Sequence, residues 1–278
     1  MDGRALAARV RQEVARDVAE LGDVGLATVL VGDDPASEIY ITSKHTAARE
    51  VGMNAVDRRL PPDISQEELL DVIRELSDDG SIDGLLVQSP LPGHLDETEA
   101  VEAVDPGKDV DGLHPVNAGL LALGRPQLVG ATPLGIMRLL AEYGIDAKGK
   151  HAVVVGRSNI VGKPVAQLLL AAHATVTICH SRTDDLQRHT LDADILVAAV
   201  GVTHLIGPDM VKTGATVIDV GMNRTDEGLF GDVDPAAMER AAYMTPVPGG
   251  VGPMTIAMLL QNTVSAARSR RGAVQVSA

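Results

Sequence analysis

Apolar residues at helical spacing open the chain: Leu6, Val10, Val14, Val18 and Leu21 share one face of a predicted helix. The run LATVLVG, ending at Gly32, is continuously apolar and short, which predicts a buried strand. Asp34 and Pro35 form an N-cap and first-turn pair, starting a helix that passes Tyr40 and Lys44 and ends near Gly52. Ser65-Gln66-Glu67-Glu68 is a capping box for a further helix, and GLLVQS (84–89) is a second buried strand, so this half reads βαβ. Residues 90–118, rich in Pro, Gly and Asp, predict a long loop with short helical pieces, a kind of segment that in compact domains usually carries function. Beyond a helix over 133–143 come four short strands, HAVVVG, TVTIC, DILVAAV and TVIDVG, with helical stretches between them. Strands spaced by helices imply a parallel, doubly wound sheet, and the fold class is α/β. A last helix is predicted from Pro253 onward.

Composition narrows the partners. The 278 residues suffice for two modest domains, and 45% apolar with 22% charged residues is ordinary for a globular protein. Aromatics are confined to Tyr40, Tyr143, Tyr243 and Phe230, so the core must be aliphatic. A net charge of −14, with no basic stripe and no stacking aromatics, argues against nucleic acid and against an anionic membrane. Cys179 is the only cysteine and reads as a small buried hydrophobe. The eight histidines lack metal-ligand spacing, and the loop at 107–118 fails as a calcium loop because Gly107 and Ala118 stand where acids are needed; no metal is expected. Neither a signal peptide nor a membrane-length apolar stretch is read, which makes the cytoplasm the expected location.

Several stretches carry candidate chemistry. TPVPGGVGPMT (245–255) holds three prolines and three glycines in eleven residues, the composition of a shaped loop whose backbone can approach a ligand closely. Tyr40 and Lys44 lie four apart on one helix and converge on one face. A lysine on such an apolar approach can lose basicity by desolvation and move protons near neutrality, although a surface lysine lying along a tyrosine fits the same spacing. Gln88 ends a buried strand and must find polar partners, and Asp111 reads either as a turn-closing side chain or as an acceptor for ligand N–H groups. GRSNIVGKP (156–164) occupies the strand-to-helix turn where a dinucleotide fold keeps its phosphate loop, but departs from G-x-G-x-x-G and equally fits a plain tight turn. At the end of the next strand, His180-Ser181-Arg182-Thr183 offers a cation and hydroxyls where an NAD enzyme carries an acid. That favours NADP, with a solvated surface arginine as the competing reading.

Together these stretches resemble the bifunctional methylenetetrahydrofolate dehydrogenase/methenyltetrahydrofolate cyclohydrolase family. The matching strings are VGDDPASEIYITSK (31–44), VQSPLP (87–92), KDVDGLHPVNAG (108–119), TPLG (132–135), GRSNIVGKP (156–164), TVTICHSRT (175–183), VIDVGMNR (217–224), GDVDP (231–235) and TPVPGGVGPMT (245–255). They occur in family order along nearly the whole chain. Two departures are Ala131, where the family often has Cys, and Ser89, where it has Leu.

The resemblance implies a folate-binding α/β domain over 1–119, joined by a returning helix at 254–270, and a Rossmann-like NADP-binding domain over 120–253. It also implies an active-site cleft between the domains, a homodimer, and a place in one-carbon metabolism and purine biosynthesis. Tyr40 would line the folate ring system, Lys44 would carry the cyclohydrolase chemistry, Gln88 would position Lys44 and Asp111 would bind the pterin edge. Pro248, Gly249, Gly250 and Val251 would close the folate site. Gly156, Arg157, Ser158, Ser181 and Arg182 would hold the NADP phosphates, with Ile160 and Val161 near the nicotinamide. The expected reactions are NADP-dependent oxidation of 5,10-methylenetetrahydrofolate and hydrolysis of the methenyl product to 10-formyltetrahydrofolate. The alternatives are a monofunctional dehydrogenase of the same family and a non-enzymatic NADP-binding regulator.

Overall fold

A computed structural model describes residues 1–272. The chain divides into two compact units, one formed by 1–8 with 132–255 and the other by 9–131 with the C-terminal residues from 256.

The second of these units begins within helix α1 (Gly3–Leu21) and contains strand β1 (Gly25–Val31), helix α2 (Pro35–Glu50), strand β2 (Asn54–Leu60), helix α3 (Gln66–Asp78) and strand β3 (Gly84–Val87). Helices α4 (Glu97–Glu102) and α5 (Pro115–Ala122) break the long 90–118 segment as the sequence predicts. The expected domain boundary at 119/120 falls inside α5. The three strands form a parallel sheet in the order β2-β1-β3. Strand β1 is buried along its whole length, which explains its unbroken apolar run. Strand β2, which the apolar pattern does not predict, is an edge strand with only partial burial, so NAVDRRL needs no apolar run. Helix α2 starts with the Asp34 carboxylate accepting the Ser37 N–H at 2.8 Å. Helix α3 starts with the Ser65/Glu68 capping box in both directions. Leu69, Ile73 and Leu76 of α3 pack with Val29, Val31 and Leu85 of the sheet, each buried side chain contributing about 1.5–3 kcal/mol.

The other unit opens, after its first residues, with helix α6 (Ala131–Glu142) and strand β4 (His151–Val155). Helix α7 (Gly162–Ala171), strand β5 (Thr175–Cys179), helix α8 (Leu186–Thr190), strand β6 (Ile195–Ala198) and strand β7 (Thr216–Asp219) follow. A small antiparallel hairpin, β8 (Asn223–Thr225) with β9 (Gly228–Phe230), and the short strand β10 (Tyr243–Met244) are additional to the sequence expectation. Five of these strands form a parallel sheet in the order β10-β7-β6-β4-β5. The core of this unit gathers Val153, Val155, Leu196, Ala198, Val217 and the buried Cys179, in keeping with that residue's reading as a hydrophobe.

Helix α9 runs Val251–Arg270 and so begins two residues before Pro253. Pro253 sits in the first turn, where its missing N–H has no intrahelical partner to lose. Near its end Arg268 pairs with Asp17 at 2.6 Å, while Arg270 and Arg271 both reach the buried Asp83, at 3.1 and 2.9 Å.

Candidate active site

Lys44 lies on the face of α2 that turns inward, and only 8% of it is accessible. Its Nζ donates to Gln88 Oε1 at 3.1 Å, and the Gln88 side-chain amide donates in turn to the Ser89 carbonyl at 2.6 Å. Gln88 follows directly on β3, and its backbone N–H extends the ladder to the Val29 carbonyl at 2.9 Å, which fixes where the side chain starts. Burial holds the Lys44 ammonium below the ordinary lysine range, and the charge of Asp111 opposes the shift without cancelling it. Burial likewise pushes the Asp111 carboxyl up, Lys44 pulls it back, and the Asp109 carboxylate adds to the rise. Lys44 and Asp111 are therefore an interacting pair in a poorly solvated place. Tyr40, one turn before Lys44, is 36% exposed.

The two aspartates of KDVDGLHP separate in role. Asp109 is the turn-closing residue: its Oδ2 accepts the His114 N–H at 2.8 Å and the Asn117 side-chain amide at 2.9 Å. Asp111 takes no part in these bonds, and its charge acts on Lys44. Gly112, at φ 64°, passes so close to the backbone of Val129 and Gly130 that a Cβ would lie 2.5 Å from the Gly130 nitrogen.

Two supporting residues were not singled out by the sequence reading. Lys108 is fully buried and donates to the carbonyls of Leu76, Ser77 and Asp79 at 3.4, 2.5 and 2.7 Å, capping the end of α3 and anchoring the strand of chain that leads to Asp111. His45 is buried beside Lys44 with its Nε2 2.8 Å from Thr28 Oγ1, pinning α2 to β1. In the sequence each is one polar residue among many, and only its distant partner marks it.

The nucleotide-type turn lies in the other unit. Strand β4 stands between β5 and β6, so the direction in which the chain is wound reverses at its C-terminal end. Such a reversal is where open parallel sheets hold dinucleotides. Gly156 leaves β4 at φ 124°, and a Cβ there would lie 2.1 Å from the Ala199 carbonyl oxygen; one on Gly162 would lie 2.3 Å from the Gly156 carbonyl oxygen. The two glycines thus keep open a cradle that side chains would fill, and the G-x-S-x-x-x-G spacing serves this geometry although it misses the common fingerprint. Ser158 Oγ accepts the N–H groups of Val161 and Gly162 at 3.1 and 3.4 Å, leaving its own O–H to donate. Arg157 and Ile160 are exposed and Val161 half-buried on the same turn. The Gly156 N–H bonds to the Cys179 carbonyl at 2.8 Å, so the turn beginning at His180 neighbours the cradle. That turn is closed by His180 N–H to Thr183 Oγ1 at 2.9 Å and Arg182 N–H to His180 Nδ1 at 3.1 Å, with the Ser181 and Arg182 residues exposed. The donor set fits a dinucleotide phosphate.

The PVPGG loop belongs to this same unit. Gly249 has φ 111° and its carbonyl accepts the Gly3 N–H at 3.1 Å, and a Cβ on Gly3 would lie 1.8 Å from the Gly250 oxygen. The Gly250 N–H closes the loop on the Pro246 carbonyl at 2.8 Å. Pro248 and Val251 flank this close approach, Pro248 through a cis peptide bond to Val247. Lys44, Gln88 and Asp111 are thus brought together in one unit, and the cofactor-type residues together with Pro248–Val251 in the other. Among the described residues no group of His, Cys, Asp and Glu could hold a metal ion, and no helix is long and apolar enough to cross a membrane.

Known proteins match along the whole of this arrangement. The family profile for the catalytic domain of tetrahydrofolate dehydrogenase/cyclohydrolase matches residues 1–111, and that for its NAD(P)-binding domain matches residues 130–271. The bifunctional protein FolD of Moorella thermoacetica is 57% identical over 274 residues, covering 96% of this chain and 98% of that protein. The crystal structure of the bifunctional FolD methylenetetrahydrofolate dehydrogenase/cyclohydrolase of Campylobacter jejuni superposes with a TM-score of 0.95 at 47% identity, covering 97% of this chain and 98% of that one. The Trypanosoma brucei methylenetetrahydrofolate dehydrogenase-cyclohydrolase, solved with NADP and an inhibitor, gives a TM-score of 0.93 at 38% identity, with coverage of 98% and 97%.

Proposed function

The chain belongs to the tetrahydrofolate dehydrogenase/cyclohydrolase family, and from that premise we propose the residues that carry its two reactions. It is a bifunctional enzyme that oxidises 5,10-methylenetetrahydrofolate with NADP and hydrolyses the 5,10-methenyl product to 10-formyltetrahydrofolate. The observation that carries the assignment of residues is the buried Lys44, held by Gln88 and made less basic by desolvation, beside Asp111.

Oxidation asks little acid-base chemistry of the protein, because the two nitrogens flanking the one-carbon unit stabilise the cation that forms. NADP supplies the hydride acceptor. Asp111 accepts from the N–H groups of the pterin edge, Tyr40 lines the ring system and Pro248, Gly249, Gly250 and Val251 shape the wall that closes over folate. Gly156, Arg157 and Ser158 hold the phosphates, Ser181 and Arg182 the 2′-phosphate, and Ile160 with Val161 exclude water near the nicotinamide. Hydrolysis begins with water adding to the methenyl carbon, and neutral Lys44 takes the proton this water sheds. The C–N5 bond then breaks, N5 gains a proton and the remaining hydroxyl loses one as the formyl carbonyl forms. One proton is released overall. Gln88 holds the amine where both transfers can use it.

We assign folate to the unit carrying Lys44 and NADP to the unit carrying β4–β7, and place the enzyme in the cytoplasm, where its formyl product serves purine biosynthesis. A homodimer through edge strand β5 is supported by the exposure of Ile178 on that strand and of Leu170 on α7, 41% and 57% accessible. Light scattering of the purified protein tests it; a monomer at micromolar concentration defeats it. The reactions are tested with methylenetetrahydrofolate and either NADP or NAD, followed by direct assay of methenyltetrahydrofolate hydrolysis. Dehydrogenase turnover without hydrolysis above the spontaneous rate would leave a monofunctional enzyme.

A further inference from the structure

Two buried carboxylates, Asp219 at the end of β7 and Asp232 just after β9, are used by none of the roles above. Asp232 is completely inaccessible, and its Oδ2 accepts the N–H groups of Val200 and Gly201 at 2.7 and 3.1 Å. Its Oδ1 accepts the N–H of Val202 and the side-chain amide of Asn223, both at 2.9 Å. Asp219, the last residue of β7, accepts from the N–H groups of Gly221 and Asp232 at 2.9 Å and of Val233 at 3.0 Å. Three consecutive amides converging on one carboxylate make an anion nest filled by the protein itself, and Gly201, at φ 69°, supplies the left-handed residue such a nest needs. Gly231 is a glycine because a Cβ there would lie 1.8 Å from Asp219 Oδ2.

Two carboxylates so placed are expensive. Burial, with a further contribution from Asp232, pushes the Asp219 carboxyl up to about 6. Apolar side chains would hold the strand ends together more cheaply, but would not turn three successive N–H groups inward. With those donors consumed and the Val202 carbonyl accepting the Leu205 N–H at 3.3 Å, the segment has the Val200 and Gly201 carbonyl oxygens and the half-exposed Val202 side chain left to present to a ligand.

The position of this loop says which part of a ligand it meets. A dinucleotide spans the winding reversal at β4 with one nucleotide over each half of the sheet. The 2′-phosphate side lies over β5, beside Ser181 and Arg182, so the nicotinamide half lies over β6 and β7. Resting on the NADP assignment above, we propose that Asp232, backed by Asp219, is a positioning residue of the dehydrogenase. It locks residues 200–202 so that the Val200 and Gly201 carbonyls receive the carboxamide N–H groups of the nicotinamide and Val202 packs on its ring.

The test uses Asp232→Asn, which puts an amide donor against amide donors. It also uses Gly201→Ala, whose new methyl meets nothing nearer than Asn223 Oδ1 at 3.9 Å but strains the nest. For each, kcat and KM for NADP are measured alongside the inhibition constant of adenosine 2′,5′-bisphosphate, which occupies only the β5 side, and the cyclohydrolase rate. The expected result is a roughly 10- to 100-fold loss in dehydrogenase kcat/KM for NADP, from a misplaced ring. Bisphosphate inhibition and methenyltetrahydrofolate hydrolysis should stay within about twofold of wild type. Wild-type dehydrogenase constants in either folded variant, or parallel weakening of bisphosphate and NADP, would overturn the proposal. Should Asp232→Asn fail to fold, Gly201→Ala decides alone. Absence of NADP-dependent turnover in the wild type would instead count against the assigned reaction.

Discussion

Replacing Lys44 with methionine keeps most of the aliphatic stem and removes the amine, which separates the two reactions because only hydrolysis needs a proton acceptor. The lost contact is the 3.1 Å bond to Gln88, a term of about 1 kcal/mol, partly offset because no charge then has to be desolvated. Folding stability should therefore change little. The catalytic loss is larger: removing a positioned general base costs roughly 10²- to 10⁴-fold, equivalent to about 3–5 kcal/mol of transition-state stabilisation. Dehydrogenase activity should stay within a few-fold of wild type, so methenyltetrahydrofolate accumulates. Its absorbance is followed during turnover of the variant, with spontaneous hydrolysis as the control. Clearance at the wild-type rate would make Lys44 a packing residue and refute the mechanism. Simultaneous loss of both activities in a folded variant would mean that the amine orients folate instead.

Four further outcomes follow from particular contacts. In Asp111→Asn the charge that raises the Lys44 pKa is gone, so the pH at which hydrolysis gains its base should fall; an unmoved pH profile would mean the pair is uncoupled. Arg182→Ala should cost on the order of 1.5–3 kcal/mol in NADP binding and little in NAD binding, measured as the ratio of the two kcat/KM values; no change would move the role to Arg157. Lys108→Ala leaves three carbonyls at the end of α3 without their cation and should lower stability by about 3 kcal/mol in urea titration, whereas an unshifted midpoint would mean water replaces the amine. Asp219 binds more protons folded than unfolded between its ordinary 3.8 and its folded value of about 6, so its contribution to stability declines as pH rises through that interval. By about pH 6 the penalty reaches roughly 3 kcal/mol, and Asp219→Asn should remove that slope from the pH dependence of unfolding; an unchanged slope would show that Asp219 titrates normally.

Local features were legible because their causes are local. The Ser65/Glu68 capping box and the Asp34-Pro35 start lie within one turn of the helices they begin, and β1 is apolar throughout because both its faces are covered. Tyr40 and Lys44 lie one turn apart on α2, as their spacing requires, although Lys44 is buried and Tyr40 is exposed. Strand β2 escaped the same reading because an edge strand with partial burial carries no apolar run, and the β8–β9 hairpin because three-residue strands leave no period to detect. The burial of Lys44 against Gln88, forty-four positions away, depends on β3 pairing beside β1. Asp109 and Asp111 look alike in KDVDGLHP, and only the folded turn gives one the capping bonds and leaves the other to interact electrostatically with Lys44. The Asp219–Asp232 pair and the Lys108 cap were invisible for the same reason: hydrogen bonds are directional and short, and sheet order decides which distant groups come within reach. The α/β class, the main helices and buried strands and the family are written in local pattern and motif; which polar residues lose their water, and with it their ordinary chemistry, depends on the packing of distant segments.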